Sequence, residues 1–505
     1  MQIDYRKYNS IEGIKLRQIH RHLTKILVSL VVILAGCVPP ASGINPEITT
    51  IPDQPAPRAV ITPLPTREQF TPGELVDYIA QDGDTVVALA ARFNTTVGEI
   101  QASNPVLPQT TTTLPPGLPM KIPIYYLPLW GSPYIILPDA YFVDGPEQIE
   151  FTAVDYVAKT SGWFKDYRVY AYDGWRSGAE VVDYVGMSYS ISPRLLLALL
   201  EYQTHALSDP NTPANVDLYA LGFKEAFNEN LYLQLMYAAD TLNAGYYNWR
   251  KGDLLSIELL DGKLMRFDPW LNASTAALQN YFSLLYAPVD FEYAISSDGF
   301  AATYRSLFGE LPAQDPELIP GSLTQPEMLL PFTPNKVWSY TGGPHPVWGA
   351  NQPWAAIDFA PPSDQSGCAI SFEWVTAVAD GIISRTESGL AILDLDGDGD
   401  ERTGWVVLYL HLSKDEAAPQ GKQVKAGDVI GHPSCERGRA TGTHVHIARK
   451  YNGEWISADG PMAFDLEGWI VHSDGTPYLG TLTRFGQTLR ACTCSDNLTN
   501  LTSGN

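Results

Sequence analysis

Short apolar segments separated by glycine- and aspartate-rich turns fill the C-terminal part of the chain, and they are the strongest constraint on its fold. They occur between residues 326 and 480, at 376–379, 390–395, 405–411 and 444–449. Each is too short for an ordinary helix and is bounded by turn residues, which is the pattern of strands joined by tight connections. The pattern predicts an antiparallel β domain over residues 326–480.

This predicted β domain is also rich in metal-binding residue types. It contains a set of four histidines and one aspartate: His345, Asp358, His411, His444 and His446. Alternate side chains of a strand face the same side, so His444 and His446 would present two imidazoles together while Val445 packs behind them. A catalytic zinc ion needs three protein ligands of the histidine and carboxylate type and an open position for water, and this set can supply them.

Several stretches of the β domain resemble the lysostaphin/LytM-type zinc endopeptidases, which cut peptidoglycan peptides. Residues 440–446, Ala-Thr-Gly-Thr-His-Val-His, are similar to the second motif of that family. Residues 406–413 are similar to its strand with a catalytic histidine, and residues 377–381 to a recurrent turn. The commonest first motif is His-x-Gly-x-Asp, but Trp354 stands four residues before Asp358. The sequence Gly-Gly-Pro-His at 342–345 resembles instead the β-lytic branch, in which the first histidine lies further upstream.

The resemblance implies a role for each polar residue. It implies that His345, Asp358 and His446 bind zinc as the cofactor, and that His411 and His444 orient the attacking water or stabilise the oxyanion. It therefore implies a zinc metalloendopeptidase that hydrolyses peptide bonds in peptidoglycan stem peptides or cross-bridges. The alternative is a non-catalytic LytM-type regulator of other wall hydrolases, because some domains of this type have lost ligands. Retention of all the polar positions favours the enzyme.

A run of aspartates and glycines, Asp394–Asp400, is a second place where a cation could bind. Oxygen ligands at alternate positions resemble the start of a calcium loop, but the twelfth position is Trp405 rather than a bidentate glutamate. We interpret the run as a charged hairpin tip between two strands, and calcium binding stays an alternative.

The first 36 residues have the pattern of a targeting segment. Basic side chains precede an apolar run at 26–34, which is shorter than the about 20 residues of a membrane span. The sequence Leu-Ala-Gly-Cys at 34–37 resembles a bacterial lipoprotein signal, which implies cleavage before Cys37 and lipidation of that residue. An uncleaved membrane anchor is the alternative. In either case we expect an extracytoplasmic protein anchored at the cell envelope, with a proline-rich tether over residues 37–74.

The other four cysteines are Cys368, Cys435, Cys492 and Cys494. An even number outside the cytoplasm indicates disulfides, and three connectivities are open in principle. We expect the pair Cys368–Cys435, since both residues lie in the β domain. The remaining two are close together near the C-terminus and either pair or stay free.

Residues 75–127 predict a small unit of a strand, two helices and a second strand. Gly83, Asp84 and Thr85 follow the first strand, and Asp84 or Thr85 can cap the first helix. The pattern resembles a LysM module, which implies binding to N-acetylglucosamine polymers through Gly83, Asp84, Thr85 and Asn104. The long insertion at 108–116 departs from the compact form of such modules.

Residues 130–320 predict a mainly helical domain. Ser192 and Pro193 have the residue types of an N-cap and a first helical position for an apolar helix. The order of helices resembles lytic transglycosylases with a lysozyme-like fold, but Gln203 occupies the position of their glutamic acid. A carboxamide cannot act as a general acid. We therefore expect a degenerate, non-catalytic domain; a glycan-cleaving enzyme acting through this domain is the alternative.

Together these segments predict a multidomain α+β protein. It would comprise a signal peptide (1–36), a tether (37–74), a small βααβ module (75–127), a helical lysozyme-like domain (130–320), an antiparallel β peptidase domain (326–480) and a tail (481–505). The chain has 33 Lys and Arg against 56 Asp and Glu, a net charge of −23, which argues against binding of nucleic acid. The expected partners are peptidoglycan and, through the lipid, a membrane.

Overall fold

The computed structural model describes residues 70–125, 130–171, 174–224, 226–312, 315–494 and 499–502. The predicted signal peptide, Cys37 and most of the predicted tether lie outside these residues. No helix within the described residues is long and apolar enough to cross a membrane.

The N-terminal module, residues 70–125, has the predicted order of a strand, two helices and a strand. Thr85 caps the first helix by accepting a hydrogen bond from the Ala88 amide, and Thr96 caps the second together with Glu99. The elements are β1 (Glu74–Ile79), α1 (Val86–Arg92), α2 (Val97–Ser103) and β2 (Pro119–Ile124), and the two strands pair antiparallel.

The helical module, residues 130–320, is built around one long helix. Ser192 caps α5 (Pro193–Thr204) as predicted, and its hydroxyl accepts a hydrogen bond from the Leu195 amide. The long helix α7 (Leu231–Lys251) packs closely on α8 (Ala273–Ser283) at Gly245, where a Cβ would lie 2.7 Å from Ala277 Cα. The helices are α3 (Ala153–Val157), α4 (Gly178–Tyr189), α5 (Pro193–Thr204), α6 (Val216–Tyr219), α7 (Leu231–Lys251), α8 (Ala273–Ser283), α9 (Pro288–Ala294) and α10 (Phe300–Phe308), with the hairpins β3 (Arg168–Ala171)–β4 (Gly174–Ser177) and β5 (Ser256–Glu258)–β6 (Leu264–Arg266).

The β module, residues 326–502, is antiparallel, as the turn pattern predicts. Its strands are β7 (Val337–His345), β8 (Ala356–Ala360), β9 (Val375–Thr376), β10 (Gly381–Glu387), β11 (Gly389–Asp394), β12 (Trp405–Leu412), β13 (Gln423–Val424), β14 (Val429–Gly431), β15 (Val445–Tyr451), β16 (Glu454–Trp455), β17 (Asp465–Leu466), β18 (Trp469–Ser473), β19 (Gly480–Arg484), β20 (Gln487–Arg490) and β21 (Asn500–Thr502). Among the described residues the main sheet has nine strands in the order β13-β10-β11-β12-β15-β8-β7-β21, with β16 beside β15. A four-stranded sheet, β17-β18-β19-β20, and the pair β14-β9 lie beside it.

The segment after residue 480, expected as a tail, differs from that expectation. It completes β19 and forms β20 and β21, and β21 pairs with β7 at the edge of the main sheet. Leu482, Leu489 and Leu501 are buried there. These apolar side chains are separated by polar residues, so only the pairing of the strands reveals their common face.

The two faces of the main sheet have different neighbours. One face, which includes Ile357 and Val445, packs inside the β module itself. The other face, which includes Ala356, Leu408 and Ala448, belongs to the apolar core of the helical module. Because alternate strand residues face opposite sides, Asp358 and His446 lie on the face that the helical module covers in part.

Arg250, near the end of α7, connects all three modules. Its guanidinium pairs with Glu454 of the β module at 3.0 Å and with Asp139 of the helical module at 3.2 Å. It also donates to the Asp82 carbonyl of the N-terminal module. This arginine is almost fully buried, so the contact fixes the three modules against one another.

Candidate metal centre and neighbouring sites

Strand register places the three predicted ligands side by side. His446 on β15 is the register partner of Asp358 on β8, and His345 ends the adjacent strand β7. Asp358 Oδ1 lies 3.3 Å from His345 Nε2 and 3.2 Å from His446 Nδ1, and the two ring nitrogens are 3.0 Å apart. The structure thus brings together the residues that the sequence predicts as ligands.

The histidine tautomers follow from the backbone carbonyls that the rings contact. Nδ1 of His345, His411 and His444 lies 2.7, 3.0 and 2.8 Å, respectively, from a carbonyl oxygen. A carbonyl only accepts, so each Nδ1 carries a proton, and Nε2 is the nitrogen whose lone pair can bind a metal or a substrate. In His345 that lone pair is directed at the Asp358 carboxylate, which is the arrangement a metal ligand needs.

The electrostatics of the group suit a cation. Burial lowers the pKa of His446 to about 4, helped by the charge of His345, so the ring is neutral at pH 7. Burial alone would raise the pKa of Asp358, but His345, His444 and His446 hold it well below its ordinary value. Asp358 Oδ1 is buried without a hydrogen-bond partner among the described residues. An ionised oxygen between two imidazole nitrogens fits a zinc ion.

Two glycines that precede His345 make room for this group. A Cβ on Gly342 would lie 2.4 Å from Asp358 Oδ2. A Cβ on Gly343 would lie 2.5 Å from the Leu479 backbone. The Gly-Gly-Pro-His sequence therefore reflects the close approach of the carboxylate on one side and of the 478–480 segment on the other.

His411 and His444 lie beside the ligand group rather than within it. His411 has φ +64° where the pairing of β11 and β12 shifts register. Its ring centroid is 4.4 Å from that of His444 and 6.1 Å from that of His446. Burial lowers the pKa of His411 to about 3, helped by the charges of His444 and His446. A neutral imidazole at this place can accept a hydrogen bond from a water molecule.

Tyr478 is a feature of the site that sequence reasoning missed. Its ring stacks on His345 with centroids 4.1 Å apart, and its amide donates to the Pro344 carbonyl at 3.1 Å. The side chain is about half exposed, so a phenol stands at the rim of the site. Tyr478 follows a Gly-Thr-Pro turn, and no periodic pattern connects it to the histidines.

A disulfide-held loop forms another part of the rim. Cys368 and Cys435 are bonded, with Cα atoms 5.7 Å apart. The Thr443 amide, next to His444, donates to the Gly367 carbonyl at 3.0 Å. The loop after β8 is therefore attached to the segment that leads into β15. Cys492 and Cys494 are also bonded to each other, well away in sequence.

The loop between His345 and Asp358 is held by the helical module. Asp240 on α7 accepts hydrogen bonds from the amides of Ala350 and Asn351 at 3.2 and 3.3 Å and from the Asn351 side chain at 2.7 Å. Gly349, at φ +72°, leaves room for this carboxylate, since a Cβ would lie 2.2 Å from Asp240 Oδ1. Contacts with the helical module therefore shape the segment that joins His345 and Asp358.

Two of the predicted glycan-binding residues are engaged within the N-terminal module. Asp84 is buried, pairs with Arg92 at 2.7 Å and accepts from the Tyr78 hydroxyl at 2.6 Å. Asn104 is also buried, and it both donates to and accepts from the Lys121 backbone. These contacts give both side chains a structural role.

The other two predicted glycan-binding residues face the remaining modules. Gly83 has φ +65°, and a Cβ there would lie 2.6 Å from Arg250 Cζ. Thr85, the cap of α1, lines a cavity between the modules together with Gly83.

Glu201, two residues before Gln203, is hydrogen-bonded to the loop that follows α5. Glu201 accepts from the Leu207 amide at 2.7 Å and from the Ser208 hydroxyl at 2.5 Å. This arrangement closes the turn after α5 and supplies no acid in place of Gln203.

The aspartate run forms the turn between β11 and β12. Asp394, Asp396 and Asp398 offer three oxygens close enough to share an ion. Asp394 is buried, whereas Asp396 and Asp398 are exposed.

Three family models match parts of this chain. The model described as LysM domain matches residues 78–123, the one described as LasA, N-terminal domain, matches residues 135–319, and the one described as Peptidase family M23 matches residues 352–458. The last range includes Asp358, His411, His444 and His446 but begins after His345. The match over the helical module is to the LasA N-terminal domain, so the predicted lysozyme-like character is not confirmed.

Individual relatives and solved structures are also similar to parts of this chain. Protease LasA from Pseudomonas aeruginosa strains UCBPP-PA14 and PAO1 is 24% identical over 310 residues, which cover 56% of this chain and 69% of the relative. The deep-sea M23 metalloprotease pseudoalterin is 24% identical, with 33% of this chain and 96% of that chain covered and a TM-score of 0.29. A zinc-containing peptidase from Vibrio cholerae is 21% identical, with 28% and 41% covered and a TM-score of 0.21.

Proposed function

We propose that this chain is an extracytoplasmic zinc metalloendopeptidase that hydrolyses peptide bonds in peptidoglycan stem peptides or cross-bridges. The observation that carries the proposal is the buried convergence of His345 Nε2, Asp358 Oδ1 and His446 Nδ1, with the oxygen lacking a hydrogen-bond partner among the described residues. The similarity of residues 352–458 to Peptidase family M23, and of a longer stretch to Protease LasA, supports it.

In this proposal His345, Asp358 and His446 hold the zinc ion. When bound there, zinc supplies Lewis-acid polarisation of the scissile carbonyl and lowers the pKa of a water molecule. The Gly343 carbonyl accepts from His345 Nδ1 and so leaves Nε2 as the nitrogen directed at the group.

His411 and His444 orient the attacking water next to the metal group. His411 is neutral at pH 7, and its Nδ1 donates to the Glu436 carbonyl, so Nε2 can accept a hydrogen bond from the attacking water. His444 Nε2 lies 3.7 Å from Asp358 Oδ1, which places a second imidazole where it can position the same water.

The modules outside the β module determine where the enzyme acts. The match of residues 78–123 to the LysM domain supports targeting to glycan. The lipid anchor that the sequence predicts at Cys37 would keep the chain at the cell envelope.

Digestion of purified peptidoglycan by the full chain, with and without a zinc chelator, tests this function. New amino groups and new sugar ends are scored separately. We expect amino groups that the chelator suppresses, and no sugar ends. Neither product would favour the regulator, and sugar ends that resist the chelator would transfer the activity to the helical module.

A further inference from the structure

A cavity of about 350 Å³ lies where the three modules meet. The N-terminal module contributes Gly83, Thr85 and Val87 to its wall, and the end of α7 contributes Lys251. The β module contributes Trp354, from the loop between His345 and Asp358, among other residues. This volume is within the range of ligand sites, about 300–1,000 Å³, and such sites occur preferentially between domains.

The walls of this cavity are held by buried contacts. Asp82 Oδ1 accepts hydrogen bonds from the amides of Leu318 and Ile319 at 3.0 and 3.1 Å, which attaches the N-terminal module to the end of the helical module. Thr113 donates to the Pro320 carbonyl at 2.8 Å. With the buried Arg250 contacts described above, these bonds make the cavity a fixed feature rather than a gap between loosely connected domains.

Both cationic groups of the wall are paired with carboxylates, and a third carboxylate is held by backbone amides. Arg250 pairs with Glu454 at 3.0 Å, and Lys251 pairs with Asp253 at 2.9 Å. The Asp459 carboxylate accepts hydrogen bonds from backbone amides at 2.8 and 3.0 Å. The wall therefore offers no surplus cation for a phosphate or carboxylate ligand, and an uncharged ligand suits it best.

What remains in the wall is aromatic rings, hydroxyls and aliphatic groups. Trp354 is half-buried, and its backbone is fixed by bonds from its amide to Gln352 Oε1 and from the Ala458 amide to its carbonyl. Thr85 supplies a hydroxyl, and Val87 and Met462 supply apolar surface. The Trp354 indole can pack against the ring of a sugar while neighbouring hydroxyls bind its polar groups, and the apolar side chains can contact an acetamido methyl.

The cavity adjoins the metal group. Pro344, which precedes His345, is part of its wall, and Trp354 lies four residues before Asp358. A ligand held there would lie against the loop that joins the first two ligands of the metal group.

We propose that this cavity binds an N-acetylated sugar of the glycan strand while the attached peptide reaches the metal group. The proposal rests on the peptidoglycan peptidase function proposed above. It differs from binding by the N-terminal module alone because Trp354 and Lys251, outside residues 78–123, form part of the sugar site. The preferred substrate is then a peptide still attached to glycan rather than a free peptide.

Calorimetric titration of the metal-free full chain with the N-acetylglucosamine tetramer tests the sugar site without any cleavage step. Trp354→Ala is expected to weaken binding about tenfold, which corresponds to about 1.4 kcal/mol, whereas Trp354→Phe keeps a ring and stays within about threefold. Trp175→Ala is the matched control, because Trp175 is an exposed tryptophan on the β3–β4 hairpin outside the cavity wall. It is expected to bind like the parent.

Equal affinity of Trp354→Ala and the parent, with both folded by circular dichroism, would overturn the proposal and leave the N-terminal module as the sole sugar site. No binding by the parent would also overturn it. Release of amino groups from purified peptidoglycan by the zinc-loaded full chain is measured separately. The absence of that release would refute the peptidase, while sugar binding alone decides the cavity.

Discussion

Two groups of three metal-capable side chains belong to the same sheet, and they differ in what their atoms already bind. In the first group, His345, Asp358 and His446 are all buried and Asp358 Oδ1 has no hydrogen-bond partner among the described residues. In the second group, at the β11–β12 turn, Asp394 accepts from the amides of Asp396 and Gly399 at 3.1 and 2.8 Å.

Other carboxylate oxygens of the β11–β12 turn also accept hydrogen bonds from the protein. Asp398 Oδ1 accepts from the Asp400 amide at 2.8 Å, and its Oδ2 accepts from the Thr403 hydroxyl at 2.8 Å. These oxygens stabilise the turn itself. Ligand residue type and proximity are therefore insufficient to identify a metal centre; the decisive features are burial and a charged atom without a protein partner.

The largest effect should come from removing the unpartnered oxygen. Asp358→Asn replaces an ionised ligand by a neutral amide, so we expect loss of bound zinc and of peptide hydrolysis. Removal of a ligand's hydrogen-bond partner typically lowers activity by roughly 10- to 100-fold, and removal of the ligand itself should lower it further. Metal content and hydrolysis rate are the measurements. Asp396→Asn is the matched control in the second group; a loss of zinc in that variant would reverse the comparison.

The next effect separates ligands from their neighbours in the first group. His411→Ala removes an imidazole that orients the attacking water but does not hold the metal, so we expect hydrolysis to fall by about 10²- to 10⁴-fold. Zinc content should stay at the parent value. If zinc is lost as well, His411 is a ligand, and the assignment of His345, Asp358 and His446 as the ligand set is wrong.

The two groups should also differ in how zinc and calcium affect the stability of the folded chain. Zinc at about 100 times its Kd should raise the free energy of unfolding by about 2.7 kcal/mol, because it binds only the folded group. Calcium at the same concentration should leave the midpoint of denaturant unfolding unchanged, since the turn oxygens are already bonded. Stabilisation by calcium that Asp396→Asn abolishes would contradict this.

The smallest effect concerns the proton held in the second group. Burial, followed by the hydrogen bond and charge of Asp396, raises the pKa of Asp394 to about 6. The unfolded carboxyl ionises near pH 4, so the folded state binds more protons between about pH 4 and pH 6, and its stability declines as the pH rises through that window.

Asp396→Asn removes the like charge and should reduce that decline. The measurement is the free energy of unfolding of variant and parent, compared at pH 4 and pH 7. A variant that loses stability relative to the parent as the pH rises would indicate that a cation, rather than a shared proton, occupies the turn.

The convergence of the first group could be expected from the sequence because strand alternation and the spacing of motifs are local properties. His444 and His446 both lie near Asp358, and the three residues predicted as ligands come together. The N-caps at Thr85 and Ser192 are likewise local and appear as predicted.

Contacts between distant segments could not be predicted in this way. Tyr478 reaches His345, and Asp240 fixes the ligand loop, only because separate modules pack together. Arg250 is one basic residue among many in the sequence, and its burial between three modules follows from the packing of α7 against the β module. The pairing of β21 with β7 depends equally on the completed sheet.

The position of the metal centre can be measured by anomalous diffraction at the zinc edge, from crystals of the full chain grown with zinc and calcium. We expect one peak among the described residues, between His345 Nε2, Asp358 Oδ1 and His446 Nδ1, and no peak at the β11–β12 turn. A peak at Asp394–Asp398 with none at the histidines would contradict the assignment of the metal centre.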